Sequence, residues 1–152
     1  MTMPDREAKQ AHDWPTAEDF WAFSIATYSH KPMEEACLDA QDSLKADVNL
    51  LLLCLWMDDH GIRPASDNWE NLQNTAQWWQ REKLGPLRMA RRLLKGQDGY
   101  EDAKKAELAA EKQEQVALLA CLTAPPKTSH NSREVWPCVS SYLHALGAAM
   151  KG

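Results

Sequence analysis

The sequence has no apolar stretch long enough to cross a bilayer. Its longest uninterrupted apolar run, Leu50 to Met57, is eight residues, which as a helix spans about 12 Å against roughly 30 Å of hydrocarbon. Glycine is scarce, at six in 152 residues, and no glycine-rich phosphate loop or GxSxG elbow occurs. That leaves nucleotide-loop and α/β-hydrolase chemistry without support. No ExxH or HxxxH pair is present, so the helical di-iron and zinc-protease patterns are missing too. The four cysteines, Cys37, Cys54, Cys121 and Cys138, are far apart and never form CxxC. This spacing suits a reducing cytoplasm better than a disulfide framework or a zinc site. The polar, mixed-charge start MTMPDREAKQAHDW reads as neither a secretory signal nor a transit peptide.

The charge balance is acidic, −5 overall with 26% charged residues. Such a chain has no global field to attract DNA or RNA, so nucleic acid is not an expected partner without a local basic patch. At this length one domain can bury about two-thirds of its unfolded surface.

Strand-like alternation is not sustained anywhere, whereas 3.6-residue spacing recurs. The expectation is an all-α single-domain bundle of five to seven helices: residues 1–13 form a flexible N-terminal segment and 14–150 the domain. Thr16 with Asp19 opens a first helix whose face is Phe20, Trp21, Phe23, Ile25 and Tyr28. Pro32 ends or restarts it. A second helix, MEEACLDAQDSL, aims Cys37, Leu38, Gln41 and Leu44 one way. Asp47 caps the third, and Gly61 with Pro64 stops it. In that third helix, about 48–60, apolar residues surround the whole axis, so other elements must enclose it.

Asp67 and Glu70 make a capping pair for a fourth helix carrying Trp69, Leu72, Ala76 and Trp79 on one face. Gly85-Pro86 kinks or breaks it, and PLRMARRLLK continues with Leu87 and Leu94 inward. A long helix runs from about Tyr100 to Thr123. KTSHNS is a loop, and a last helix presents Val139, Leu143, Leu146 and Met150.

Four blocks, FWAFSIATY, CLDAQDSLKADVNLLLLCLW, PLRMARRLLK and ELAAEKQEQVALL, carry a resemblance. Over roughly residues 18–120 the chain resembles a family of short proteobacterial proteins catalogued as domain of unknown function 2390. The pairing of Gln41-Asp42 with DVNLLL is the most specific element. One departure is Lys45-Ala46, where a glycine is expected in the connecting turn. The resemblance implies an intracellular, all-helical bacterial protein; it supplies no activity and no catalytic residues.

Three sets of residues could carry function. Asp39, Asp42, Asp58 and Asp59, with His60 alongside, are weak candidates for a metal, since paired carboxylates can hold Mg²⁺ with substrate phosphates. The competing reading has Asp58, Asp59 and His60 as the wet end of a buried helix, and no metal or cofactor is expected. Asp42, Asp47 and Asn49, with Trp56 along the same helix, form a capping network or the polar floor of a pocket. Arg81, Arg88, Arg91, Arg92 and Lys95, with Trp78 nearby, form a basic stripe that could grip an anion or an acidic partner. Glu107, Glu111 and Glu114 lie on the next helix. Folding back about a turn between Gln97 and Asp98 sets Arg88 opposite Glu107 and Arg81 opposite Glu114. Each exposed pair would be worth about 0–1 kcal/mol. Trp21, Trp56, Trp69 and Trp79 are expected in the core, with Trp78 and Trp136 off the inward stripes.

The functional expectation is a cytoplasmic, non-catalytic protein-interaction or regulatory module with another protein as partner and no membrane. An alternative is a metal-dependent enzyme or a small-ligand binder of isoprenoid or phosphate type using the aspartates. A third is RNA or ribosome contact through Arg88, Arg91, Arg92 and Lys95.

Overall fold

The computed structural model describes residues 14–128 and 137–151, the side chains of 149–151 excepted. The expected flexible segment 1–13, Trp136 and the side chain of Met150 lie outside the described residues. Seven α-helices are described: α1 (Ala17–Tyr28), α2 (Lys31–Leu44), α3 (Val48–Asp59), α4 (Ser66–Trp79), α5 (Gly85–Leu93), α6 (Tyr100–Ala120) and α7 (Pro137–Lys151). A π-helical segment, Gln80–Leu84, joins α4 to α5.

Helix α3 is the spine. Leu50 to Cys54, Trp56 and Met57 are all buried, and α1, α2, α4, α6 and α7 each pack against it. Its caps are those the sequence indicates. Leu50 N–H donates to Asp47 Oδ1 at 2.8 Å, and Gly61 leaves the helix at φ +65°, where a side chain would be strained. Thr16 Oγ1 likewise accepts from Asp19 N–H at 3.1 Å to start α1, and Pro32 sits in the first turn of α2.

The missing glycine before α3 has a visible consequence. Lys45 closes α2 in the left-handed region at φ 58°, a conformation that strains any residue with a Cβ. Lys45→Gly should therefore raise stability by about 0.5–1 kcal/mol, read as a higher urea midpoint at unchanged slope.

Several local expectations are corrected. α4 begins at Ser66, with Ala65 before it and no side-chain cap; Asp67 instead accepts from its neighbour Asn68 N–H. The inward residue ahead of α5 is Leu84, which is buried, while Leu87 and Leu94 are half-buried. Ile25 and Leu38 are exposed rather than core, and Ser24 is the buried residue between Phe20 and Tyr28. Of the predicted core tryptophans, Trp56 is buried, whereas Trp21, Trp69 and Trp79 are half-buried. Lys127-Thr128, read as loop, pairs antiparallel with Ile62-Arg63. In this two-residue ladder Ile62 is buried in the core, while Arg63, Lys127 and Thr128 are exposed.

The π segment has a covalent cause. Pro86 has no N–H, and its ring would crowd the carbonyl four residues back. The backbone widens by one residue just before it, and Gly85 N–H reaches Gln80 O in an i→i−5 bond. A Cβ on Gly85 would lie 2.6 Å from that same carbonyl oxygen. Gly85→Ala should cost about 1–3 kcal/mol, as overpacking against backbone does, and show as a lowered Tm.

Candidate functional site

The extra residue turns Gln80 and Leu84 toward a cavity of about 650 Å³ between α1, α2, the start of α3, the π segment, α5 and α6. That volume falls within the usual range for small-molecule sites. Trp21, Ile25, Leu38, Leu52, Leu84 and Leu108 supply its apolar wall.

The floor is polar and built from three helices. Asn49 on α3 donates through Nδ2 to the Glu111 carbonyl at 3.0 Å and to Glu114 Oε1 at 2.7 Å. Gln115 on α6 donates through Nε2 to Asn49 Oδ1 at 3.0 Å and to Ser24 Oγ at 2.8 Å. Ser24 in turn donates to Phe20 O at 2.8 Å. This chain of donors leaves no freedom in the amide orientations, because each NH₂ already faces two acceptors. Behind the floor, Asp47 accepts from Gln80 Nε2 at 2.7 Å, and its backbone N–H donates to Tyr142 Oη at 2.9 Å.

Among the described residues, two buried oxygens have no partner: Glu114 Oε2 and Gln115 Oε1. Glu114 is 0% exposed and Gln115 2%. Buried polar atoms are almost always paired, so each of these asks for an explanation. For Glu114 it is a proton. Burial, followed by the charge and hydrogen bond of Asp47, pushes its carboxyl far above the ordinary carboxylate range. A protonated Oε2 then donates toward Asp47. Gln115 Oε1 can only accept, and it stays unpaired.

One wall of the site is charged. Arg91 Nε donates to Glu107 Oε1, and Arg88 Nε lies 3.7 Å from Glu107 Oε2; Arg88 Nη1 also reaches Gln80 Oε1 at 3.3 Å. Glu111, half-buried on the same stripe, is raised to about 7 by burial and by the charge of Glu107. A carboxyl that titrates near neutrality beside an apolar wall can hold, release or accept a proton at physiological pH.

Of the residues singled out from sequence, Asn49, Arg88 and Arg91 line this cavity, and Asp47 stands directly behind it. Asp42 and Asp39 are exposed on α2, apart from that network. Asp58 is at the opposite end of α3. Its two oxygens accept from Cys138 N–H at 2.8 Å and Val139 N–H at 3.0 Å, capping α7. Asp59 is exposed. His60 bonds Trp56 O through Nδ1 at 2.8 Å and stacks on the Trp56 ring at 3.8 Å. Among the described residues, no group of three or more His, Cys, Asp or Glu side chains gathers closely enough to hold a metal ion.

The basic stripe divides. Arg88 and Arg91 turn inward onto Glu107, while Arg81, Arg92, Lys95 and Trp78 face outward. The Arg88–Glu107 pair is the one the hairpin register indicates, but it is largely buried rather than exposed. Arg81 pairs with its neighbour Glu82 at 2.9 Å and not with Glu114. The inserted π residue rotates everything before it away from that register.

Sequence reasoning missed Ser24, Gln80 and Gln115, and it assigned Glu114 to the wrong partner. A signal was present: Ser24, Asn49 and Glu114 each interrupt an apolar helical stripe at an inward position. Polar residues at core positions on three separate helices point to a shared network.

No helix among the described residues is long and apolar enough to cross a membrane. No curated protein and no solved structure matches the chain. Residues 19–118 match a family described as protein of unknown function (DUF2390). Every residue lining the cavity, from Trp21 to Gln115, falls inside that segment. The chain belongs to the DUF2390 family.

Proposed function

We propose that the protein binds a small amphipathic molecule in the cavity between α1, α2, α3 and α6. The observation that carries this reading is Gln115 Oε1, an acceptor without a donor on the floor of a cavity of about 650 Å³. A ligand donor group offsets the cost of leaving it bare, about 1–3 kcal/mol. The apolar wall takes the remainder of the molecule. Ligand binding is thus placed on Asn49, Gln115, Arg88 and Glu111, away from the aspartates at the far end of α3. Four free thiols, at Cys37, Cys54, Cys121 and Cys138, support a reducing, cytoplasmic setting.

The test is a thermal-shift screen of small amphipathic compounds against the wild type and Ile25→Trp. Ile25 lines the cavity yet is 53% exposed, so a larger ring there obstructs the cavity without disturbing the core. A compound at about 100 times its Kd stabilises the fold by about 2.7 kcal/mol. The same compound should act much more weakly on Ile25→Trp. Equal shifts in both proteins, or none in the wild type, would count against the cavity.

A second reading, a protein-interaction surface, is favoured by Met89 and Leu93. They are 64% and 72% exposed and one turn apart on α5. Exposed apolar pairs of this kind suit a partner helix or strand. Photocrosslinking from position 89 should then capture one defined partner, and Leu93→Asp should abolish the capture.

A further inference from the structure

Resting on the cavity being a binding site, we infer that the polar end of its ligand is an organic ammonium group, a primary or secondary amine on an apolar body, received by the Glu111 carboxylate and Gln115 Oε1. The hydrogen-bond inventory of the floor points this way. Both hydrogens of the Asn49 amide and both of the Gln115 amide are committed, and Ser24 has given its own to Phe20 O. What is left over is an acceptor on a side chain 2% exposed. The ligand must bring hydrogens, and an ammonium brings two or three.

The charge inventory agrees. Away from the exposed Glu101, Lys104 and Lys105, the lining holds the carboxyls of Glu107, Glu111 and Glu114, with Asp47 behind them, against two guanidiniums, Arg88 and Arg91, both engaged with Glu107. Neither Glu111 nor Glu114 has an ion-pair partner among the described residues, and burial first, then the neighbouring carboxyls Glu107 and Asp47, raises their titration. A ligand cation can take the place of the proton on Glu111. The Trp21 ring on the wall already attracts one ammonium, that of Lys112 at 5.5 Å from its centre, so it offers an electron-rich face to a second. An acidic head group would have to displace Glu107 from Arg88 and Arg91 and then sit beside Glu111. Lys104 and Lys105 line the site too, but Lys104 is exposed and leans toward Glu101 at 3.9 Å.

The experiment uses three probes with one apolar body: 2-(1-naphthyl)ethylamine, 1-naphthylacetate and 2-(1-naphthyl)ethanol, titrated calorimetrically into the full chain at pH 6. The amine should bind at least about tenfold tighter than the alcohol, and the acid most weakly. In two buffers of different ionisation enthalpy, amine binding should release a fraction of a proton, as Glu111 gives up its own. Glu111→Gln should remove both the preference for amine over alcohol and the proton release. That substitution is isosteric and, at pH 6, exchanges one neutral group for another, so folding is kept; an unchanged far-UV circular dichroism spectrum verifies it. Tighter binding of the acid, or an amine preference that survives Glu111→Gln, overturns the ammonium assignment and leaves the cavity standing. Failure of all three probes overturns the cavity itself.

Discussion

Between pH 5 and pH 8 the free energy of unfolding is expected to fall by about 3 kcal/mol or more. Glu111 holds its proton up to about pH 7 in the folded protein but only up to its ordinary value of 4.5 in the unfolded chain. Across that interval the folded state carries a proton that the unfolded state has released. Stability is fully present below the unfolded value and is lost as pH rises through the folded one, at about 1.4 kcal/mol per pH unit for each such group. Glu114, raised further by burial and by Asp47, adds to the loss throughout the window and beyond it. Urea denaturation followed by tryptophan fluorescence at pH 5, 6, 7 and 8 checks this. The slope should flatten in the double variant Glu111→Gln, Glu114→Gln. Stability that is level or rising over this range in the wild type would mean the carboxyls ionise freely in the fold.

Asn49→Ala is expected to cost about 4 kcal/mol, more than the loss of its small side chain explains. Asn49 is the only side chain linking α3 to both Glu114 and Gln115 on α6. Its removal leaves Glu114 Oε1, one Gln115 hydrogen and the Glu111 carbonyl without that partner. Glu114 Oε1 and the Gln115 hydrogen are each worth about 1–3 kcal/mol when buried and unpaired, while the Glu111 carbonyl keeps its helical N–H. The cost appears as a lower urea midpoint at pH 5, where the carboxyl protons are in place. A loss under about 1 kcal/mol would show that water or a rearranged Gln115 replaces the amide. Asn49→Asp should be at least as damaging, since it exchanges two donor hydrogens for another carboxyl beside Glu114 and Asp47.

The spine and its caps were legible because each rests on a local rule. Eight apolar residues in a row leave no polar face, so α3 must be enclosed. Asp47 and Gly61 occupy the positions where a helix needs an acceptor and a left-handed residue. The Arg88–Glu107 pair was legible for a different reason: a hairpin register propagates evenly as long as both helices stay regular. It stopped propagating at Gln80–Leu84, where Pro86 forces a wider turn that residue spacing does not announce. Arg81 was thereby sent to solvent and Glu114 freed for Asn49. Ser24 and Gln115 were illegible singly, because one small polar residue in an apolar stripe looks like noise until its partners on other helices are known. Asp58 shows the opposite case, a chemically suggestive acid whose two oxygens are fully used in capping α7.

The most direct test of this account is a ¹³C NMR titration of the glutamate carboxyl carbons, with Glu111→Gln and Glu114→Gln used to assign the resonances. One carboxyl should titrate near pH 7 in the free protein and shift to lower pH as the naphthyl amine is added, while Glu114 stays protonated well past neutrality. Titration of every glutamate between about pH 4 and 5 would contradict it, because the cavity floor would then hold no surplus protons for a cation to replace.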